Sequence, residues 1–296
     1  MVTIVLIVLL FGIFKVTSTV SVAQVRELID EIGGFANSVA RPVFIEGDID
    51  AAAKQQIKEG VQNELKAPFR VLSWNMYRNH YPNKIEKTLK KLIANHDIIL
   101  LQEVPVYEKE AFWESSLFEG YSINFAPYHQ VHQSTPLYNF TQTGQMSAVR
   151  GKVIEQKAYN MPTITRYKIE GQTLKRIVLY SKTQLSDGRN VGIYNIHLEN
   201  SAGPKSRAKQ VKYVFEKIKE NNDDIVIVGG DFNSIFGSFV EKGLQVLSNE
   251  GFQKSFKKEF RLFPRLDYFF VKGANFQEYK LKGSGSDHSP IGMKVN

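Results

Sequence analysis

The stretch "IVIVGGDFNS", residues 225–234, decides how this chain is read. Alternating isoleucine and valine is the composition of a buried strand, yet the run stops at two glycines and then presents Asp231 and Asn233. Side chains two apart on an extended segment point the same way. The pair is therefore expected to look into one space, and the question is what occupies it.

The same design recurs on either side. "FRVLSWN" (69–75) reads as a strand ending in Asn75, "DIILLQE" (97–103) as a buried strand ending in Glu103, and "NVGIYNIHL" as one that delivers His197, with Asn200 just after it. "RLDYFFV" carries Asp267 at its start, and "GSGSDHSPI" sets Asp287 and His288 ahead of a last strand, "PIGMKV". Amphipathic helices lie between. "NKIEKTLKKLIANH" places Ile85, Leu89, Leu92 and Ile93 on one face, and a helix over about 204–220 buries Val211, Val214, Phe215 and Ile218. Another is expected near 239–249. "GYSINFAP", "MSAVRGKVI" and "KRIVLYSK" read as antiparallel strands, with "PYHQVHQSTPLYNFTQTG" (127–144) as an aromatic, histidine-bearing loop at the rim of the site. The alternation identifies an α/β chain with mixed sheets.

Ligands of α/β folds bind at strand ends, so these termini are expected to converge on one pocket. Each residue alone reads equally as a turn former, a helix cap or a satisfied core group. Together they supply carboxylates, carboxamides and imidazoles, with no Lys or Ser nucleophile. That set suits divalent-metal cleavage of a phosphodiester. A hard cation such as Mg2+ takes oxygen ligands and keeps several waters, neutral donors hold the phosphate oxygens, and an Asp–His pair activates water. Glu103, Asp231, Asn233 and the adjacent Asp287 and His288 cover each part.

The motifs "LSWNMY", "LLQEV", "NIHLEN", "GGDFNS", "RLDYFFV" and "SDHSPI" resemble, in order and approximate spacing, those of the endonuclease/exonuclease/phosphatase superfamily, whose members include DNase I, abasic endonucleases, neutral sphingomyelinases and inositol polyphosphate 5-phosphatases. The resemblance covers about 68–296 and is closest in texture to a small bacterial branch. It implies a DNase I-like four-layer α/β sandwich: two mixed sheets face to face, helices outside. It further implies Glu103 as principal metal ligand, with Asn75 beside it and Asp287 completing the shell of Mg2+ or Mn2+. Asp231 would orient or deprotonate water, Asn233 would donate to the phosphate, His288 paired with Asp267 would contact the scissile phosphate, and His197 would lie near the leaving group. Arg207 and Gln210, in "SRAKQ", match an R-x-x-Q feature that supports the site, and Asn200 and Arg207 are candidate substrate contacts. The "NIHLEN" segment stands where abasic endonucleases carry a Tyr-centred motif, which argues against base-excision repair, and the 5-phosphatase signatures differ as well.

Net charge and the chain start bear on the partner. The chain of 296 residues carries 38 Lys/Arg against 30 Asp/Glu, +8 in all, and no cysteine, which excludes disulfides and thiolate chemistry. Residues 24–66 hold five basic and eight acidic side chains and Lys15 is the only charge before them, leaving +10 on residues 67–296. Such an excess favours nucleic acid as substrate, with an anionic membrane surface as the other polyanion. The rival readings are a sphingomyelinase or phospholipase C-like enzyme and a non-catalytic polyanion-binding module. A monomer without an obligate protein partner is expected. Residues 2–14 are apolar over roughly 20 Å, short of a ~30 Å hydrocarbon core. With Ser-Val-Ala at 21–23, residues 1–23 read as a signal peptide or N-terminal anchor. Residues 24–66 read as a helical connector, with a helix that stops at Gly33-Gly34 and a second over roughly 49–65, leading to a catalytic domain at 67–296.

Overall fold

The computed structural model describes residues 55–77, 81–107, 114–130, 140–162, 168–169, 172–173, 176–199, 204–234, 242–256 and 266–296. The expectations for residues 1–23, for the helix ahead of Gly33-Gly34 and for Asn200 lie outside them. Among the described residues no helix is long and apolar enough to cross a membrane.

Two mixed sheets carry the fold. The first is ordered β1-β4-β5-β3-β2-β15-β14, with β1 at Gln56–Lys58, β2 at Phe69–Asn75, β3 at Ile98–Tyr107, β4 at Ser122–Gln130, β5 at Phe140–Val149, β14 at Phe276–Lys280 and β15 at Ile291–Val295. The second is ordered β12-β13-β11-β10-β9-β6, with β6 at Val153–Asn160, β9 at Ile177–Gln184, β10 at Asn190–His197, β11 at Ile225–Asp231, β12 at Gln253–Lys254 and β13 at Asp267–Lys272. A two-stranded ribbon joins β7 (Lys168–Ile169) to β8 (Gln172–Thr173).

Each sheet is built on a parallel pair that needs a crossover helix. β2 runs parallel to β3 through α1 (Pro82–Ile93), and β10 runs parallel to β11 through α2 (Pro204–Asn221). Proline starts α1, where its missing N–H is no loss, and Lys90 and Lys91 in its last turn suit the helix dipole. The helix buries Ile85, Leu89, Leu92 and Ile93 on Leu72, Trp74, Ile99 and Leu101 of the first sheet. On the second sheet α2 and α3 (Lys242–Asn249) pack Val211, Val214, Phe215, Leu244 and Leu247 over Tyr194, Ile196, Val226 and Val228. The remaining faces of both sheets meet each other through Phe69, Val71, Ile98, Leu100, Ile193, Ile227, Phe269 and Met293. The order helix, sheet, sheet, helix is the four-layer sandwich expected.

The inner faces are not uniformly apolar. Read inward-facing positions along each central strand: β2 gives Phe69, Val71, Ser73, Asn75, and β10 gives Val191, Ile193, Asn195, His197. β11 gives Ile225, Ile227, Gly229, Asp231. Each strand passes from apolar to polar toward its C-terminal end, so the sandwich has a greasy end and a polar end. At the boundary lies a buried amide cluster. Gln102 Nε2 donates to Asn195 Oδ1 (2.8 Å), Asn195 Nδ2 donates to the carbonyls of Met146 (2.8 Å) and Leu101 (3.1 Å), and Gln145 Nε2 donates to the Asn195 carbonyl (3.3 Å).

Four sequence expectations change. The helix over 49–65 is not what residues 55–65 form. Gln56–Lys58 adds as an edge strand to β4, and Leu65 bridges Leu185, so this stretch belongs to the sandwich rather than to a connector. "MSAVRGKVI" is not one strand but the end of β5, a turn over 150–152 and the start of β6. Residues 127–130 and 140–144 are arms of the β4–β5 hairpin rather than loop. Finally, β3 does not end at Glu103 but continues to Tyr107, with a register shift between Leu101 and Val104.

Candidate active site

The polar end of the sandwich gathers the strand termini. His197 and Asp231 stand opposite each other in the β10–β11 pair, and Asp231 stands opposite Asp267 in the β11–β13 pair. The two glycines before Asp231 have separate reasons. A Cβ on Gly229 would come within 2.8 Å of Leu100 from the facing sheet. Gly230 adopts φ +138°, which side chains disfavour, and its Cβ would lie 1.9 Å from the Ile196 carbonyl oxygen. Glu103, at φ 52°, occupies the bulge of β3, and bulges commonly re-aim a side chain beside a site.

Asp231 is the hub. Its Oδ1 accepts the Asn233 backbone N–H at 2.8 Å. Its Oδ2 accepts from Asn75 Nδ2 at 3.0 Å, with His197 Nε2 at 3.4 Å and His288 Nε2 at 3.8 Å. One oxygen is fixed by the backbone, and the other faces the space between two imidazoles. On its far side His288 Nδ1 lies 2.8 Å from Asp267 Oδ2, which sets the ring so that Nε2 faces Asp231. Glu103 Oε1 is 3.5 Å from the same Asn75 amide nitrogen.

Burial governs the charges. Loss of water raises the Asp231 carboxyl to about 6, and Asp267 adds to that, while His288, the Asn233 N–H and Asn75 oppose it. For His288, burial disfavours the imidazolium, but Asp267, then Asp231, then Asp287 outweigh it and hold the ring well above its ordinary value. Asp287 is exposed at the surface, yet partial loss of water raises its carboxyl, against the pull of His288, and the nearby Glu103 charge adds to the rise. The Glu103 carboxylate is thus near enough for its charge to act on Asp287 at the mouth.

The donor set fits a hard divalent cation at that mouth. Glu103 and Asp287 offer oxygens whose mutual repulsion a cation would relieve. Asp231, Asp267 and His288 also group their ligand atoms within 4.8 Å. There, however, the Asp267–His288 hydrogen bond already joins two of the three, so proton handling suits them better than ligation.

Several assignments shift in detail. Asn233 has left the strand at φ 47°, so its side chain does not share the direction of Asp231. Instead its Nδ2 donates to the Leu198 carbonyl at 2.9 Å through one of its two amide hydrogens. Asn75 turns its amide nitrogen, not its carbonyl, toward the carboxylates. Its Oδ1 accepts the Tyr77 N–H at 3.0 Å, so its nitrogen side lies between Glu103 and Asp231 and the second lone pair of the oxygen is what it could offer a cation. Arg207 is buried and donates to the Glu199 carbonyl (3.1 Å), and Gln210 Oε1 accepts the Glu199 N–H (2.9 Å). Both hold the backbone of the segment after His197, and this bond of Arg207 goes to that backbone.

Two contributors escaped the sequence reading. Trp74 Nε1 donates to the His288 carbonyl at 2.8 Å, and Ser286 Oγ bridges the Asn75 carbonyl (2.7 Å) and the His288 N–H (3.0 Å). A buried indole N–H needs a partner, and a serine two residues before a functional residue often makes a local turn. Those were the available signals.

Comparison with known proteins bears on the family and the fold. The model of the Endonuclease/Exonuclease/phosphatase family matches residues 72–288. A UPF0294 protein of Vibrio campbellii is 28% identical over 228 residues, 75% of either chain. The catalytic domain of human Nocturnin superposes with TM-score 0.58 at 18% identity over 82% of this chain and 97% of that one. An endonuclease/exonuclease/phosphatase from Bacteroides vulgatus gives 0.59 at 14% identity over 78% and 99%. At those identities the structural likeness bears on the fold.

Proposed function

The chain belongs to the Endonuclease/Exonuclease/phosphatase family, whose members hydrolyse phosphate esters, and from that premise we propose that it is a Mg2+-dependent phosphodiesterase acting on nucleic acid. The carrying observation is Asp231 Oδ2, held by Asn75 and set between His197 and His288. The +10 charge of residues 67–296 favours a polyanionic substrate, and the apolar residues 2–14 favour action outside the cytosol.

In this reading Asp231 takes a proton from the attacking water through Oδ2 while the Asn233 N–H keeps Oδ1 from turning. His288, charged and steadied by Asp267, donates from Nε2 to a phosphate oxygen. His197 Nε2 donates beside it, toward the leaving oxygen. A divalent cation bound by Glu103 and Asp287 would neutralise charge developing on the phosphate.

The test is turnover by the full chain, with and without Mg2+, on plasmid DNA, RNA and sphingomyelin vesicles. Asp231→Asn and His288→Ala serve as controls. Nucleic-acid cleavage lost in both variants supports the proposal. Hydrolysis of vesicles alone would transfer the same residues to a lipid substrate, and metal-independent cleavage would overturn it.

A further inference from the structure

Among the described residues four large apolar side chains are exposed: Ile57, Tyr77, Tyr81 and Ile154. The two aromatic ones share the segment that leads from Asn75 into α1. Tyr77 is 39% exposed at φ 49°, with its N–H on the Asn75 side chain. Tyr81 is 50% exposed and forms the N-cap of α1, its carbonyl accepting the N–H groups of Lys84 and Ile85 at 3.0 Å. Lys84 Nζ stands 5.0 Å above the Tyr81 ring.

From there α1 carries a charged stripe. Lys84, Lys87 and Lys91 are exposed and spaced three and four apart, so they share one side of the helix over about 10 Å. Glu86, the helix's one acid, is joined to Lys90 at 2.7 Å. The start of the stripe abuts the catalytic loop. Gly285 lies against Ile85 and the Cβ of Lys84, and Ser284 N–H donates to Thr88 Oγ1 at 3.2 Å. Asp287 and His288 follow two and three residues after Gly285.

We infer that Tyr77, Tyr81 and the Lys84–Lys87–Lys91 stripe form a track for single-stranded nucleic acid, bases stacked on the tyrosines and phosphates along the lysines, leading to Asp231. The inference rests on the phosphodiesterase reading for its direction and adds the substrate's form. Aromatic faces next to a line of cations suit a flexible polyanion with exposed π-faces, whereas a duplex hides its bases. A membrane surface fits less well, because the exposed aliphatic side chains, Ile57 and Ile154, sit on β1 and β6 and not beside α1.

The test is binding by the full chain in EDTA, which separates docking from turnover: no hydrolysis with Mg2+ would refute the phosphodiesterase reading without touching this one. The probes are a fluorescent 12-mer of dT, an abasic 12-mer with the same phosphates, a 12-base-pair duplex, and phosphatidylcholine vesicles with 30% phosphatidylglycerol. The dT 12-mer is expected to bind about ten- to a hundred-fold tighter than the abasic one. Tyr77→Ala/Tyr81→Ala should erase that difference, and Tyr81→Phe should keep it. Lys84→Gln/Lys87→Gln/Lys91→Gln should weaken both single strands and flatten the slope of log affinity against log salt by about 2. A base preference that survives the tyrosine pair, duplex binding as tight as single strand, or capture of vesicles without single strand would each overturn the inference.

Discussion

His288 and Asp267 are separated by 21 positions in the chain, yet Nδ1 of the one lies 2.8 Å from Oδ2 of the other. Asp267 opens β13 beside Asp231, while His288 arrives on the loop before β15, so the bond ties the second sheet to the first sheet's last segment. Loss of that carboxylate removes the group that orients the ring and favours its charge. Asp267→Asn is expected to lower kcat by about 100-fold or more with little change in KM. Steady-state kinetics on the cleaved substrate check it.

Asp231→Asn keeps the shape and removes the base. Its expected loss is about 10²–10⁴-fold in kcat, with substrate binding retained. A residual rate near wild type would assign the base elsewhere.

Glu103→Gln tests the metal. The half-saturating Mg2+ concentration should rise about tenfold or more, and the Mg2+-induced rise in thermal midpoint should shrink with it. Calorimetric titration and thermal melts read the two effects independently of turnover.

His96 supplies a pH signature away from the site. Burial holds its imidazole below the ordinary 6.5, with Arg70 acting the same way and the Leu92 carbonyl and Asp97 opposing. Its Nδ1 is 2.5 Å from the Leu92 carbonyl and its Nε2 3.0 Å from the Tyr279 hydroxyl. The unfolded chain binds the proton more readily, so this contribution to stability is complete above about 6.5 and is lost as pH falls through the lower folded value. Urea midpoints measured from pH 7.5 downward should fall for the wild type and fall less for His96→Gln.

The amide cluster between the sheets should be costly to break. Asn195→Leu removes the shortest bond of the Gln102 amide, which keeps longer ones to Ser73 Oγ and the Leu100 carbonyl, and takes a donor from the Met146 and Leu101 carbonyls, at an expected cost of about 2 kcal/mol. Chemical denaturation reads it, and a neutral result would mean the cluster contributes little.

The elements with strong periodicity were legible in the sequence. Phe69–Asn75 and the face of α1 came directly from apolar spacing, and the glycine-then-aspartate end of β11 pointed to the site. Other features depend on partners far away in sequence. Residues 55–65 look helical locally, but Gln56–Lys58 are drawn into an edge strand by β4 and Leu65 bridges to Leu185. Glu103 reads as a strand end, although the strand resumes after its bulge. The expectation that Asp231 and Asn233 point alike assumed continued extension, and a left-handed residue breaks it. Serine, glutamine and asparagine inside the strands carried a message that periodicity discards, because they join sheets only once the sandwich has closed.

The passage of each central strand from apolar to polar also partitions stability within the molecule. Amides near Val71, Ile193 and Ile227 sit in close-packed hydrocarbon and should exchange with deuterium only on global unfolding. Those near Asn75, His197 and Asp231 face the opposite sheet with polar side chains, although Trp74, Ile196 and Phe232 beside them are buried, and should exchange through local opening of that end. The three central strands thus hold in series the residues that close the sandwich and the residues that face the site, so a substitution at Asp231 or His197 should be read first in the chemistry and one at Val71 or Ile227 first in stability.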